Sequence, residues 1–172
     1  PAEAVAALEQ AAALVPGSGP VLLTLGNALA DAGETGRALA ALHAAIAAQP
    51  GLVEAHASLG AVLTDAGRLA EAAAACTRAL VLDPLHAPAR WNRAVAHLLA
   101  GDFAAGWEDA RARRRHPHFT ADFAGLDGRE WQGEPLAGRH LLVHAGQGMG
   151  DTIMFARYLP RLAALGGKVT LA

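Results

Sequence analysis

Apolar positions along the chain recur at helical spacing in short, regularly punctuated blocks. Residues 20–32 carry apolar side chains three or four apart until Gly33 interrupts the run. A second block covers 36–48 and is closed by Pro50, which cannot continue a helix. The same alternation returns as 53–66 with 70–82 and as 87–100 with 104–115. Residues 2–15 read as a leading helix of the second kind, without its partner.

The blocks are copies of one unit. Pro16, Pro50 and Pro84 stand 34 residues apart, as do Gly33, Gly67 and Gly101, and Ala11, Ala45 and Ala79. Leu25-Gly26 returns as Leu59-Gly60, Asp31-Ala32-Gly33 as Asp65-Ala66-Gly67, and Ala38 as Ala72. An uninterrupted period of this length predicts helix pairs stacked side by side. Gly26, Gly60 and Ala94 are expected where the two helices of a unit approach, with Ala38, Ala72 and Gly106 opposite them. Gly33, Gly67 and Gly101 are expected in left-handed turns, which glycine enters without a Cβ penalty. The third copy departs from the others, with Arg93 in place of Leu25 and Leu59, and Arg113 in place of Ala45 and Ala79. Arginine at these core positions predicts that the repeat array ends there and meets something different.

The 34-residue Leu-Gly, Ala and Pro pattern resembles the tetratricopeptide repeat (TPR) over residues 1–118, as three repeats and a leading half-repeat. The resemblance implies an α-solenoid whose groove, lined by the first helix of each pair, binds a peptide or protein partner. In that register the wall comprises Leu23, Asn27, Ala30 and Asp31, then Ala57, Ala61, Thr64 and Asp65, then Trp91, Asn92, Val95, Leu98 and Leu99. TPR domains that clamp a C-terminal carboxylate set lysine and arginine beside asparagine. Asn27 and Asn92 are present, but the only lysine is Lys168, so no such clamp is expected. For Trp91 and the leucines a second reading stays open, packing against whatever follows the third repeat.

Composition narrows the picture further. The chain is 53% hydrophobic with a formal net charge of −2, which excludes disorder, and only 5% aromatic, which with abundant alanine predicts a mainly α fold of closely packed helices. There is no apolar run long enough for a membrane span and no basic segment preceding a signal-type apolar run, so a cytoplasmic location away from membranes is expected. The slight negative charge argues against nucleic acid. Arg111, Arg113, Arg114 and Arg115, with His116 and His118, read as a solvated helix end because no aromatic residues interleave them. Cys76, the one cysteine, excludes an internal disulfide; it stands where the other repeats have Leu42 and Ala110 and reads as a buried thiol. His43, His56, His86 and His97 lack a metal-ligand spacing, and neither a metal nor a cofactor is expected.

The period is lost after His118. Residues 119–139, with Phe119, Phe123 and Trp131 among Gly, Asp and Pro, read as an ordered linker. Leu141–Ala145 suits a buried parallel strand, 146–151 a glycine-rich turn, 152–165 one amphipathic helix ended by Gly166-Gly167, and Lys168–Leu171 a second strand. Residues 140–172 would then be a truncated βαβ unit of a Rossmann-like domain. A glycine-rich strand-to-helix turn can point N–H groups at an anion, which makes Gly146, Gly148, Gly150 and Thr152 candidates for a substrate phosphate. The GxGxG spacing is not the dinucleotide fingerprint. Asp151 reads as the cap of a helix beginning at Thr152, as a chemical group, or as both.

The stretch Trp131–Arg139, with His144–Ile153 and Phe155–Pro160, is similar to the junction in bacterial TPR proteins fused to a GT-B glycosyltransferase-like domain, the fold of heptosyltransferases and O-linked N-acetylglucosamine transferases. The resemblance implies that Gly150-Asp151 matches a Gly-Asp pair whose aspartate takes the proton of the acceptor hydroxyl. It also implies a longer parent protein that transfers sugar from a nucleotide-sugar donor. The nucleotide half of that fold is absent, so the chain alone is not expected to turn over substrate. Both ends of the chain look cut, and with bare strand edges residues 140–172 are expected to pair with another chain, a homo-oligomer being one form, or to pack on the third repeat.

Overall fold

A computed structural model describes residues 2–112, 131–144 and 149–171. They fall into two compact units, Pro1–Thr120 and Ala121–Ala172.

The first unit is helical: α1 (Ala2–Leu14), α2 (Gly19–Asp31), α3 (Thr35–Ala48), α4 (Val53–Asp65), α5 (Leu69–Leu82), α6 (Ala87–Leu99) and α7 (Phe103–Ala112). The predicted blocks form with ends shifted by a residue or so. Pro20 and Pro88 fall in first turns, where a missing N–H leaves no helix bond unmade. Of the 104–115 block, Arg113, Arg114 and Arg115 lie outside the described residues, as do His116, His118, Phe119 and Phe123.

Each pair turns on the same device. Gly33, Gly67 and Gly101 have φ of +78°, +73° and +83°. The Gly67 N–H donates to the Thr64 carbonyl and the Arg68 N–H to the Leu63 carbonyl, and the same two bonds recur at Gly33–Glu34 and Gly101–Asp102. This closing pattern satisfies carbonyls that the helix end would otherwise leave orphaned.

The small residues bring the paired helices together as predicted, with the tightest contact one turn further on. A Cβ on Gly26 would lie 2.7 Å from Leu42 Cγ, and one on Gly60 would collide with Cys76 Sγ. Gly106 meets Leu98 in the same way. Ala38, Ala72 and Ala94 have no exposed surface. The main core joins Val5, Leu25, Leu29, Leu42, Leu59 and Leu63, and a smaller cluster of Ala57, Ala79, Leu80 and Ala89 seats α6 on α4 and α5. Helix α2 touches α4 and α4 touches α6, whereas α3 and α5, and α5 and α7, share no comparable contact. The first helices therefore form one continuous inner row.

The second unit contains β1 (His140–Val143), α8 (Met149–Ala156), α9 (Leu159–Ala163) and β2 (Lys168–Leu171). The strands pair in parallel, His140 opposite Lys168 through Val143 opposite Leu171. Three expectations need correction. First, β1 is not buried: it alternates exposed and half-buried residues, because a strand in a two-stranded sheet has one neighbour and an open edge. Second, the helix over 152–165 is two helices. Pro160 sits in the first turn of α9; its ring would clash with the Ala156 carbonyl in a continuous helix, and α8 ends at Ala156. Third, α8 begins at Met149, so Asp151 is the third residue of a helix and not the cap of one starting at Thr152.

Residues 131–139 do more than connect. The N–H groups of Leu136 and Gly138 donate to the carbonyls of Leu165 and Gly166, and the Lys168 N–H to that of Arg139, tying this stretch to the approach to β2. Leu136 is 2% exposed. No described helix is long and apolar enough to cross a membrane.

Candidate functional site

The row formed by α2, α4 and α6 carries most of the residues that the sequence placed in a groove. On α2, Asn27 and Asp31 are exposed, while Leu23 and Ala30 are half-buried against the main core. On α4, Asp65 is exposed and Ala61 and Thr64 are half-buried. Ala57 is a correction: at 4% exposure it lies in the seam with α6 and offers no surface. Asn92 explains why, since its Nδ2 donates to the Ala57 carbonyl at 3.2 Å and clasps α6 to α4. Trp91 is 38% and Leu99 62% exposed, with Val95 and Leu98 half-buried between them.

One member of the stripe was missed. Glu54 precedes Ala61 by seven residues and Asp65 by eleven, the spacing of a single helix face, and it is exposed. The electrostatics of the row follow from where its acids sit. Asp31 and Asp65 are the last residues of α2 and α4, beside carbonyls that already make a helix end negative, and neither helix has a basic residue in its last turn. No ion pair of Asp31, Glu54 or Asp65 occurs among the described residues. Nearby cations are engaged elsewhere: Arg37 with Glu9 and Glu34, Arg68 with Glu71, and Arg93 with Asp109.

The last of these pairs accommodates the arginine that breaks the repeat. Arg93 donates from Nε to Asp109 Oδ2 and from Nη2 to Oδ1, both at 2.7 Å, and from Nη1 to Thr77 Oγ1 at 3.2 Å. Asp109 is 6% exposed, and its carboxylate raises the Arg93 guanidinium above its ordinary pKa. Helices α6 and α7 thus pair as their predecessors do, with an ion pair in place of a leucine against an alanine. Cys76, with no exposed surface, is pushed by burial from 9.0 to about 11, against a smaller downward pull from Arg93. It stays a neutral thiol, poorly suited to nucleophilic chemistry. Two of the histidines hold backbone: His56 Nε2 pairs with the Pro50 carbonyl at 3.0 Å, and His86 Nδ1 accepts from the Ala89 N–H as the cap of α6.

In the second unit Gly146 and Gly148 lie outside the described residues. The backbones of Gly150 and Asp151 belong to the first turn of α8, and Thr152 follows, half-buried. A cleft of about 270 Å³ is lined by Trp131, Glu134, Leu136, Arg139, His140 and Leu141. Its polar groups are already engaged: Trp131 Nε1 donates to the Glu134 carbonyl, Arg139 donates to the carbonyls of Leu136 and Pro135 and pairs with the Glu134 carboxylate at 3.6 Å, while His140 Nε2 pairs with Thr170 Oγ1 at 2.8 Å.

Residues 23–86 match the tetratricopeptide repeat family. Over 89 residues, 50% of the chain, the sequence is 35% identical to Protein FlbA of Caulobacter vibrioides and covers 15% of that protein's length. Among solved structures, the unit is similar to MamA from Desulfovibrio magneticus RS-1 at 22% identity and a TM-score of 0.60, covering 66% of this chain and 64% of that one. It is similar to the second TPR of Spaghetti (RPAP3) bound to the HSP90 peptide SRMEEVD at 22% identity and a TM-score of 0.55, covering 56% and 89%. It is also similar to YrrB, described as a TPR protein with an unusual peptide-binding site, at 24% identity and a TM-score of 0.57, covering 63% and 56%. The helical unit thus has the fold of tetratricopeptide-repeat solenoids, and residues 23–86 within it match that family.

Proposed function

We propose that the solenoid is a protein-interaction module whose inner row, α2, α4 and α6, takes a segment of a partner protein. The observation that carries this reading is the stripe of exposed residues crossing three successive helices: Asn27 and Asp31, then Asp65, then Trp91 and Leu99. Such a stripe mixes an aromatic anchor with polar positions that fix register. The RPAP3 and YrrB domains, with the same fold, are described as bound to a peptide and as having a peptide-binding site. A peptide array probed with the full chain tests it. Ligands are expected to lose about tenfold in affinity on Trp91→Ala, and less on Asn27→Ala. If every ligand survives both changes, the site lies elsewhere.

A second reading concerns the other unit. Two parallel strands joined through helices favour the opening of a Rossmann-like half, and the sequence resemblance of the junction extends the reading to a parent that transfers sugar from a nucleotide-sugar donor. Asp151 would take the acceptor hydroxyl proton as the glycosidic bond forms. Gly146, Gly148, Gly150 and Thr152 would face phosphate oxygens. In the longer protein, Asp151→Asn is expected to abolish transfer while leaving the melting temperature unchanged. If no nucleotide sugar raises the melting temperature of that protein, the reading is lost.

A further inference from the structure

We infer that the segment bound on the inner row is basic, with lysine or arginine side chains over α2 and α4 and an apolar residue over α6. This rests on the inner row being the binding face, and adds the chemistry of what binds there. The row is graded in character. Asp31 and Asp65 occupy equivalent positions one period apart, and Leu99 occupies the third, 62% exposed. Glu54 adds a third carboxylate, and the stripe holds neither lysine nor arginine. Acids at helix C-termini are unfavourable in the free protein, because they face carbonyls of the same sign. A ligand cation would relieve both carboxylates and carbonyls at once. Among the described residues no cation pairs with these carboxylates, and Arg37, Arg68 and Arg93 are each paired with other acids. On α6, Trp91 and Leu99, 38% and 62% exposed, change the demand from charge to apolar surface.

Spacing gives the motif. Packed helices lie about 9 Å apart. An extended chain covers that distance in about three residues. The ligand therefore carries cations three residues apart, followed at the same interval by an apolar residue.

The test uses three fluorescein-labelled decapeptides with leucine at position 8 and serine elsewhere, differing only at positions 2 and 5, which are both Lys, both Glu or both Gln. Anisotropy titrations employ the full chain at low and at moderate salt. The Lys peptide is expected to bind best, the Glu peptide worst, and the Lys advantage to shrink as salt rises. The double variant Asp31→Asn/Asp65→Asn should weaken the Lys peptide about fivefold to tenfold, as expected for two exposed ion pairs. Glu3→Gln/Glu108→Gln changes the net charge equally, away from the row, and should leave the preference intact. A Glu peptide binding as well as the Lys peptide overturns the inference, and so does an equal loss in both double variants. If the charge preference is missing while Trp91→Ala still weakens the Gln peptide, the basic ligand is wrong and the binding face stands. If no peptide binds, or if neither Trp91→Ala nor the aspartate pair affects binding, the face itself is wrong and the inference falls with it.

Discussion

Arg93 and Asp109 form the ion pair most isolated from water among the described residues, with side chains 24% and 8% exposed. Their counterparts one period back are Leu59 and Ala75, and one further back Leu25 and Ala41. Three solutions to one packing problem thus exist in the same chain, which allows an internal test. Removing one partner strands a partly buried charge, so Asp109→Ala should cost about 3 kcal/mol. Replacing both, as Arg93→Leu/Asp109→Ala, rebuilds the Leu59/Ala75 arrangement and should be at least as stable as the natural chain. Urea unfolding of the three proteins decides this: a double variant as weak as Asp109→Ala alone would mean that the third pair is shaped around its ions. A similar triplet explains Cys76. Gly26 faces Leu42 and Gly60 faces Cys76, while the third copy has Ala94 with Ala110, so the glycine is relaxed to alanine where its partner has shrunk.

At the scale of elements, the helices of the solenoid were legible because each is announced several times. Spacing sets the apolar face, glycine fixes the turn, and the repeat supplies independent copies of both signals. Asp109 was not read as the partner of Arg93, although the substitutions Leu to Arg and Ala to Asp coincide in the same copy. Compensation becomes visible only when corresponding positions on two helices are compared together, and sixteen residues separate the pair. Ala57 was misplaced for a related reason. Register assigns it to the inner face, but a small side chain near a helix–helix seam is covered by its neighbour, here by α6 through Asn92. In the second unit no repeat corrects the reading. Apolar residues over 152–165 suggest one helix, and a single proline outweighs them, because its missing N–H and its ring oppose continuity at one point.

At the scale of the whole molecule, stability should be distributed unevenly and in a predictable order. In a solenoid each repeat contacts its neighbours alone, so interior helices gain two interfaces and terminal ones a single interface. The burial follows that rule. Helix α4 buries seven residues, Ala55, His56, Ala57, Leu59, Gly60, Val62 and Leu63, whereas α1 buries only Val5. In α7, Gly106 and Asp109 are buried, while Phe103 and Trp107 are 62% and 57% exposed. In the second unit, Leu136 is the only buried apolar residue among those described, and a two-stranded sheet alone is marginal in water. Native-state amide exchange of the full chain should therefore give the slowest amides in α4 and α5, with α1 and α7 exchanging at least about tenfold faster. The amides of β1 and β2 should exchange fastest of the regular elements. Equal protection from α1 to α7 would contradict this order, since it would require the terminal helices to open only with the whole array. Binding provides the complementary check. A ligand spanning α2, α4 and α6 adds an interface to three interior helices and none to α1, so it should slow exchange in the former and leave α1 unchanged. If protection instead rose only in α1 or in β1 and β2, the partner would be docking away from the inner row.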